Sequence, residues 1–375
     1  MSLIASGGFD DGVVFIDASG ALAGGGSVPF EGAPVASSTF GYDGFGTDDS
    51  QFTGRALTND AKVLFVGQRN MPQVITIDTT TMTAVASADL SVAQSGLGHV
   101  SDVALSPDGM NLYAVVTTGD HTRPNFLGGD AYGDGFDETI DIVRLNPSNM
   151  TETARLTLVS ASTNNAKGRN LAMSADGLTG AVGIINEGSV FLVDLANMTI
   201  IDADANTNGD QPVDVSGTSV DVVRTAFDGA GNVLVTFRDS DGELLSIDTT
   251  TFTTSAIAPP TSAADYKPGS LFEAGGLVYH TDKDTGPNGA GGLVVFDIVN
   301  NMATEYFTDA MIQSVGFSAD GRLLFVQSYD PWTIVAVDPF TLMPVDIDGF
   351  MGNGVTGLDS ALADFGSHQL PTTPF

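Results

Sequence analysis

Residues 100–116 read VSDVALSPDGMNLYAVV: an apolar run, a turn built on Ser-Pro-Asp-Gly, and a second apolar run. The pattern returns as LAMSADGLTGAVGI from Leu171 and as VGFSADGRLLFVQS from Val315. A second apolar hairpin accompanies it and ends in Asp with a Thr- or Asn-rich turn. It reads VITIDTTTMT from Val74, VFLVDLANMT from Val190, LLSIDTTTFT from Leu244 and IVAVDPFTLM from Ile334. A supersecondary unit recurring at about 40–50 residues marks a repeat architecture in which neighbouring units bury one another.

Each unit fits four antiparallel strands, A to D. Strand A precedes the SPDG-type turn, B follows it, and C and D flank the IDTTT-type turn. Six full units are read, at 51–90, 99–158, 167–203, 221–258, 267–308 and 311–347. Residues 1–30 carry runs resembling B, C and D (LIASGG, GVVFIDASG, GSVPF), and VTGLDSALADF at 355–366 resembles a lone strand A. Joined, they make a seventh blade that locks both chain ends together without a disulfide. Four-stranded blades around a channel are a propeller. The expectation is an all-β, seven-bladed β-propeller occupying residues 1–375 as a single domain, with 31–50 a loop.

The SPDG turn, the LYV-like strand B and the VIDTxTxxV hairpin resemble the YVTN or surface-layer type of seven-bladed propeller, a relative of the lactonase-like propellers. The resemblance covers nearly the whole chain and implies the fold. It implies no catalytic residue at any position of this sequence, and one architecture serves enzymes, adhesins and scaffolds alike.

Composition sets further bounds. Thr, Val and Gly are abundant, with 45 Gly and 16 Pro, which suits many short strands joined by tight turns. No apolar run approaches the roughly 18–20 residues that span a bilayer, so a soluble protein without membrane insertion is expected. The absence of Cys excludes disulfides, thiolate zinc sites, Cys nucleophiles and thioether-linked haem. The 46 acidic residues against 13 Lys and Arg give a net charge of −33, whose field repels nucleic acid and anionic membranes. Asp predominates over Glu, which points either to a calcium-rich or saline exterior or a halophile, or simply to a soluble acidic surface. The N-terminus MSLIASGGFDDGVVFIDASG reads directly as strand, with no signal peptide visible. The expected location is extracellular or cell-surface, the periplasm included.

The recurring turn residues read first as structure. Asp78, Asp194, Asp248, Asp297 and Asp338, with Asp108, Asp176 and Asp320 in the SPDG-type turns, suit carboxylates that accept backbone N–H groups, and this outweighs a ligand role. Met82, Met150, Met198, Met302 and Met343 recur near one point of the C–D hairpin and read as inter-blade packing rather than a sulfur ligand set.

In a propeller the D–A and B–C loops share one face and the A–B and C–D turns the other. Here the second set is short and repetitive. The first is long and irregular, including 30–50, 90–99, 117–139, 204–221, 258–267 and 280–292. Variable loops on a rigid scaffold carry function, so this face is the candidate. Nine of the 13 cations lie in or beside these loops: Arg55, Arg69, Arg123, Lys167, Arg169, Arg224, Arg238, Lys267 and Lys283. Arg55, His99, Arg169, Arg224 and Lys267 stand near the start of strand A, which lines the channel. They are read as a cationic mouth for a carboxylate, phosphate or sulfate, against the competing reading that they pair with neighbouring Asp. Trp332, with Tyr329 and Pro331, offers an apolar platform for a sugar ring or a protein, or packs within its own loop.

The stretch DADANTNGDQPVD at 202–214 resembles the first half of a calcium loop, with oxygens at alternate positions and Gly for the sharp turn. Its candidate ligands are Asp204, Asn206, Asn208, Asp210 and Asp214. The usual twelfth-position acid is missing, Val215 standing there, and an exposed Asn-Gly loop competes. No haem, flavin or nucleotide motif is present. Catalytic signals are thin: His99, His121 and His280, with Asp102 near His99, are weak candidates for a base or metal site. The preferred reading is a non-catalytic binding propeller that engages a protein, a glycan or a small anionic ligand, calcium-stabilised. The alternative is a lactonase-like hydrolase acting on a small anionic substrate at the channel mouth. A docking subunit of a larger redox or surface assembly ranks third.

Overall fold

The computed structural model describes residues 2–6, 13–17, 52–60, 62–68, 72–81, 83–91, 98–118, 138–162, 166–203, 211–219, 221–237, 244–257, 268–282, 292–300, 302–306, 312–317, 324–328 and 333–342. The N-terminal strands β1 (Ser2–Ser6) and β2 (Val13–Asp17) pair antiparallel. The first four-stranded sheet holds β3 (Phe52–Leu57), β4 (Val63–Gln68), β5 (Gln73–Asp78) and β6 (Thr83–Asp89). The next holds β7 (Gly98–Leu105), β8 (Leu112–Thr118), β9 (Glu138–Asn146) and β10 (Thr151–Ser162). Then come β11 (Lys167–Met173), β12 (Thr179–Ile185), β13 (Ser189–Asp194) and β14 (Thr199–Ile201), with β15 (Val213–Asp214) also on β13. The fourth holds β16 (Val222–Phe227), β17 (Val233–Phe237), β18 (Leu244–Ile247) and β19 (Thr254–Ile257), and the fifth β20 (Pro268–Ala274), β21 (Leu277–Asp282), β22 (Gly292–Asp297) and β23 (Met302–Tyr306). Finally β24 (Ile312–Phe317), β25 (Leu324–Ser328) and β26 (Thr333–Val337) form a three-stranded sheet. Residues 31–50 and 355–366 lie outside the described residues.

Apart from β15, every described sheet is an up-and-down meander, so spatial order follows chain order. The first strands β3, β7, β11, β16, β20 and β24 touch one another in succession, and each of the five after β3 also meets the second strand of the preceding sheet. Successive sheets therefore stack face to face with their A strands adjacent.

Burial explains why strand B reads as a continuous apolar run. All seven residues of β8 are buried. Leu112, Ala114 and Val116 pack into a cluster with Ala56, Phe65 and Val74 of the preceding sheet, while Tyr113 and Val115 pack with Val182 and Ile184 of the next. A strand sandwiched on both sides gains from apolar residues at every position, each contributing about 1.5–3 kcal/mol. The outer strand β6, with one buried residue in seven, keeps polar and small side chains.

The A–B turn is held by its own side chains. Ser106 Oγ donates to Asp108 Oδ1 at 2.5 Å, which also accepts the Met110 N–H at 2.9 Å, and Ser106 Oγ accepts the Asn111 N–H at 2.9 Å. Ser174 and Asp176 repeat this with Leu178 and Thr179, and Thr58 with Asp60 reproduces it where the sequence reads TNDAKV. In the C–D turn the Asp accepts the N–H groups two or three residues on: Thr80 and Thr81 for Asp78, Thr250 and Thr251 for Asp248, Phe340 and Thr341 for Asp338. Asp194 and Asp297 take Asn197 and Asn300. Asn146 fills the role with Ser148 in the one described hairpin that lacks the Asp. These hydrogen bonds hold Asp78, Asp108, Asp176, Asp194, Asp248, Asp297 and Asp338 below the usual carboxylate range. The structural reading of these carboxylates accounts for them.

The methionine reading needs correction. Met150, Met198, Phe252 and Leu342, each four residues past the turn's Asp or Asn, have φ of 53–58°. The N–H of Met150, Phe252 and Leu342 bonds the carbonyl four residues back at 2.7–2.8 Å. Their side chains are buried or half-buried, and that burial offsets the roughly 1–2 kcal/mol of a left-handed backbone. Met302 is one residue too late for this position and is 63% exposed. Leu342 occupies it instead of Met343, whose placement, like the Met82 side chain, is outside the described residues.

Candidate binding site on the inner strands

The inner strands share a defect. Each of β3, β7, β11, β16, β20 and β24 shifts register against its B partner near its N-terminal end: at Thr53/Arg55, Val100/Asp102, Gly168/Leu171, Val222/Arg224, Pro268/Leu271 and Ile312/Ser314. A bulge bends a strand and re-aims the side chains beside it. Arg55 and Arg224 immediately follow such a shift and Arg169 lies within one.

Arg55 is 3% exposed, and Arg169 and Arg224 are half-buried. Half-buried His99 lies nearer the strand start, opposite Thr117. Arg55, Arg169 and Arg224 thus stand at or beside the bulges of β3, β11 and β16, and His99 lies three residues before Asp102 on β7, four strands that touch in succession. Lys267 and Trp332 lie outside the described residues, as do His121, Tyr329 and Pro331.

Asp102, the candidate general base, is bound into the scaffold. It is 4% exposed, and its Oδ2 accepts the Leu171 N–H of the next inner strand at 2.9 Å. On its other side it meets Gly54 of β3, where a methyl group would overlap Asp102 Cα and Oδ1. One strand further on, Asn170 Nδ2 donates to the Thr225 carbonyl at 2.7 Å while its Oδ1 accepts the Thr225 N–H at 2.9 Å. A register shift frees backbone groups from the A–B ladder, and side chains of the adjacent inner strands satisfy them. Asp102 and Asn170 occupy equivalent positions and stitch one blade to the next.

His280 does not join a loop-face cluster. It lies inside β21 with 1% exposure, because strand B is covered on both sides. Burial lowers its pKa from 6.5 to about 3, so the imidazole is neutral at working pH.

Of the calcium-loop candidates, Asp204, Asn206, Asn208 and Asp210 are outside the described residues. Asp214 is exposed on β15, its Oδ1 accepting the Ser216 N–H at 2.9 Å. The location of this stretch differs from the expectation of a D–A loop. β14 pairs with Leu192–Asp194 and β15 with Ser189 and Val190, so both continue one outer strand along β13. Residues between them interrupt strand D, and the base of the excursion is closed by the Ala203 N–H on the Gln211 carbonyl at 3.0 Å. The described ends of this stretch, Ala203 and Gln211, thus stand beside the outer strand segments β14 and β15. Among the described residues, no three His, Asp or Glu side chains are grouped as a metal site requires.

Two further arginines work between sheets and were not singled out by sequence. Arg144 Nη1 donates to the Ala196 carbonyl at 3.0 Å. Arg155 pairs with buried Asp141 at 2.7 Å and with Glu152 at 2.9 Å, and donates to the Leu90 carbonyl of the preceding sheet at 3.0 Å. Both lie within β-strands away from the long loops, which is why the sequence reading passes over them.

The arrangement has solved counterparts. Hydrazine synthase of Kuenenia stuttgartiensis superposes with a TM-score of 0.59 at 14% identity, covering 90% of this chain and 90% of that chain. A chain of the mitotic checkpoint complex superposes with a TM-score of 0.57 at 14% identity, covering 88% of this chain and 82% of that one. No protein family model matches the chain, and no curated protein matches its sequence. At such identity the likeness concerns fold alone: the counterparts are β-propeller proteins, and this all-β chain of antiparallel four-stranded sheets shares their architecture.

Proposed function

We propose that the chain is a seven-bladed propeller of the YVTN or surface-layer type whose work is binding, at the cell surface or outside the cell. The N-terminal pair β1–β2 would be completed by residues 355–366, closing the ring with both chain ends in one blade. The propeller counterparts favour an interaction or scaffold role for such a platform.

One observation carries the reading: Arg55, Arg169 and Arg224 stand at corresponding bulges of inner strands in a chain that has 13 cations against 46 acids. Guanidinium groups concentrated at a channel lined by low-dielectric walls attract anions that the rest of the surface repels. The ligand class is a carboxylate, phosphate or sulfate, free or borne by a glycan or protein segment. His99 and Lys267 would extend the cationic arc and Trp332 would flank it. Calcium held by Asp204, Asn206, Asn208, Asp210 and Asp214 would stiffen the outer excursion of its blade, away from the anion. The hydrolase alternative gains nothing from Asp102, whose carboxylate holds the Leu171 N–H.

Thermal melts with citrate, phosphate and sulfated disaccharides, at fixed ionic strength, test the reading. A ligand-specific rise in Tm for the wild type, lost in Arg169→Gln/Arg224→Gln, is expected. Equal shifts in both proteins would refute the site.

A further inference from the structure

The opposite face carries its own pattern. Among the described residues, the exposed large hydrophobics Leu57, Met110 and Leu178 border A–B turns, and Val299, Met302 and Phe340 border C–D turns. Only Val85, on the outer strand β6, departs from this placement. Met110 is 72% exposed and Leu178 55%. They occupy the same turn position in consecutive blades, where neither packing nor turn geometry requires an apolar side chain; Lys62 holds it in the preceding blade.

These turns form a connected arc. Asn59 Nδ2 donates to the Pro107 carbonyl at 3.3 Å, joining the turns that follow β3 and β7. The Pro107 ring lies against Gly177, where a Cβ would stand 2.6 Å from Pro107 Cδ, joining the turns that follow β7 and β11. Each of the three turns presents a carboxylate, Asp60, Asp108 or Asp176, and hydrogen bonding keeps each below the usual carboxylate range. Among the described residues, Lys62 and Arg144 are the cations at this end; Lys62 lies 3.8 Å from Asp60, and Arg144 is bound to backbone carbonyls. Arg55, Arg169 and Arg224 lie within the inner strands, at or beside their bulges, and not in these turns. An apolar arc edged by carboxylates has a complement of the opposite charge.

We propose that this turn face docks a basic protein segment, its apolar side chains covering Met110 and Leu178 and its Lys or Arg meeting Asp60, Asp108 and Asp176. The propeller then has two working faces, with an anion site at the channel mouth and a cationic partner behind it.

The test uses the full chain and two fluorescent synthetic peptides, one alternating Lys and Leu, the other Glu and Leu, read by anisotropy at near-physiological salt. Three variants are compared. Met110→Ser/Leu178→Ser removes the apolar contacts. Asp108→Asn/Asp176→Asn removes charge while keeping a side-chain oxygen to accept the turn's hydrogen bonds. Asp89→Asn/Glu187→Gln removes two charges near the opposite end. The expected result is Lys-Leu binding weakened about tenfold by each of the first two variants, and changed less than about twofold by the third, with no Glu-Leu binding. Equal weakening by all three would show generic attraction to an acidic protein and overturn the proposal. So would equal binding of the two peptides, no binding at all, or self-association of the wild type abolished by Met110→Ser/Leu178→Ser, which would make a second copy the occupant.

Discussion

Tyr113 donates its hydroxyl to the carbonyl of Leu195, 3.2 Å away and 82 residues further along the chain. Tyr279 makes the same reach to Pro339, 60 residues on, at 3.5 Å. Each acceptor directly follows the turn Asp of the next blade, Asp194 or Asp338, so the same latch closes two different blade boundaries. Burial raises the pKa of Tyr279 to about 12 and that of Tyr113 above its ordinary value, so both remain donors at neutral pH. Tyr113→Phe and Tyr279→Phe should each lower stability by about 1 kcal/mol. Tyr113→Ala, which also empties a buried site, should lower it by about 3–5 kcal/mol. Denaturant melts check both. A Phe variant as stable as wild type would show that the latch contributes nothing.

His280 predicts an acid dependence with a definite sign. Its pKa is about 3 in the folded chain and 6.5 in the reference state, because desolvation disfavours the imidazolium. Above the reference value both states are neutral and the group has no effect. As pH falls through 6.5 the unfolded chain gains a proton that the folded chain refuses, and stability drops until the folded value is reached. His280→Gln should flatten the stability profile over that interval. An unchanged slope would show that another group sets it. The turn carboxylates act lower: with depressed pKa values, they stabilise above the ordinary aspartate range and lose that contribution below it.

Gly54 marks where two inner strands come closest. A methyl group there would overlap the Val103 N and the Asp102 Cα, backbone atoms that cannot rotate away. Gly54→Ala should destabilise by about 3 kcal/mol. Gly217→Ala, with nothing near and no left-handed backbone, should stay within about 0.5 kcal/mol of wild type. Chemical denaturation of the pair checks the contrast.

Arg155 holds Asp141, whose side chain is 2% exposed, with Thr157 as the second partner of that carboxylate. Arg155→Met should cost about 3–5 kcal/mol by stranding a buried charge. Arg155→Met/Asp141→Leu should recover much of the loss, since the apolar pair needs no partner. A double variant as unstable as the single would place the effect in the lost Leu90 contact instead.

The repeat was legible because its turns have narrow chemical requirements. Only a short side chain with an acceptor can hold the N–H groups past Asp78 or Asp248, so the sequence repeats Asp there. In the 99–158 unit Asn146 stands in place of the Asp, a short side chain that offers the same acceptor. The inner-strand bulges were not legible, because Gly54, Asp102, Asn170 and Arg224 share a position without sharing chemistry. The split outer strand was hidden for a different reason: β15 is two residues long, too short to show alternation beside an acidic loop. His280 misleads for a third reason: a strand buried on both faces accepts a neutral imidazole among apolar neighbours. The cations of the candidate site could be picked from sequence as a group, yet only pairing registers show that three of them stand at or beside an inner-strand bulge.

The most direct test of the binding account is calorimetric titration of the anion giving the largest thermal shift, with the ligand recovered and identified after prolonged incubation. The account predicts saturable binding that Arg169→Gln/Arg224→Gln abolishes, and ligand recovered chemically intact. Ligand recovered as hydrolysis products, formed by the wild type and not by that variant, would contradict it and make the channel mouth an active site.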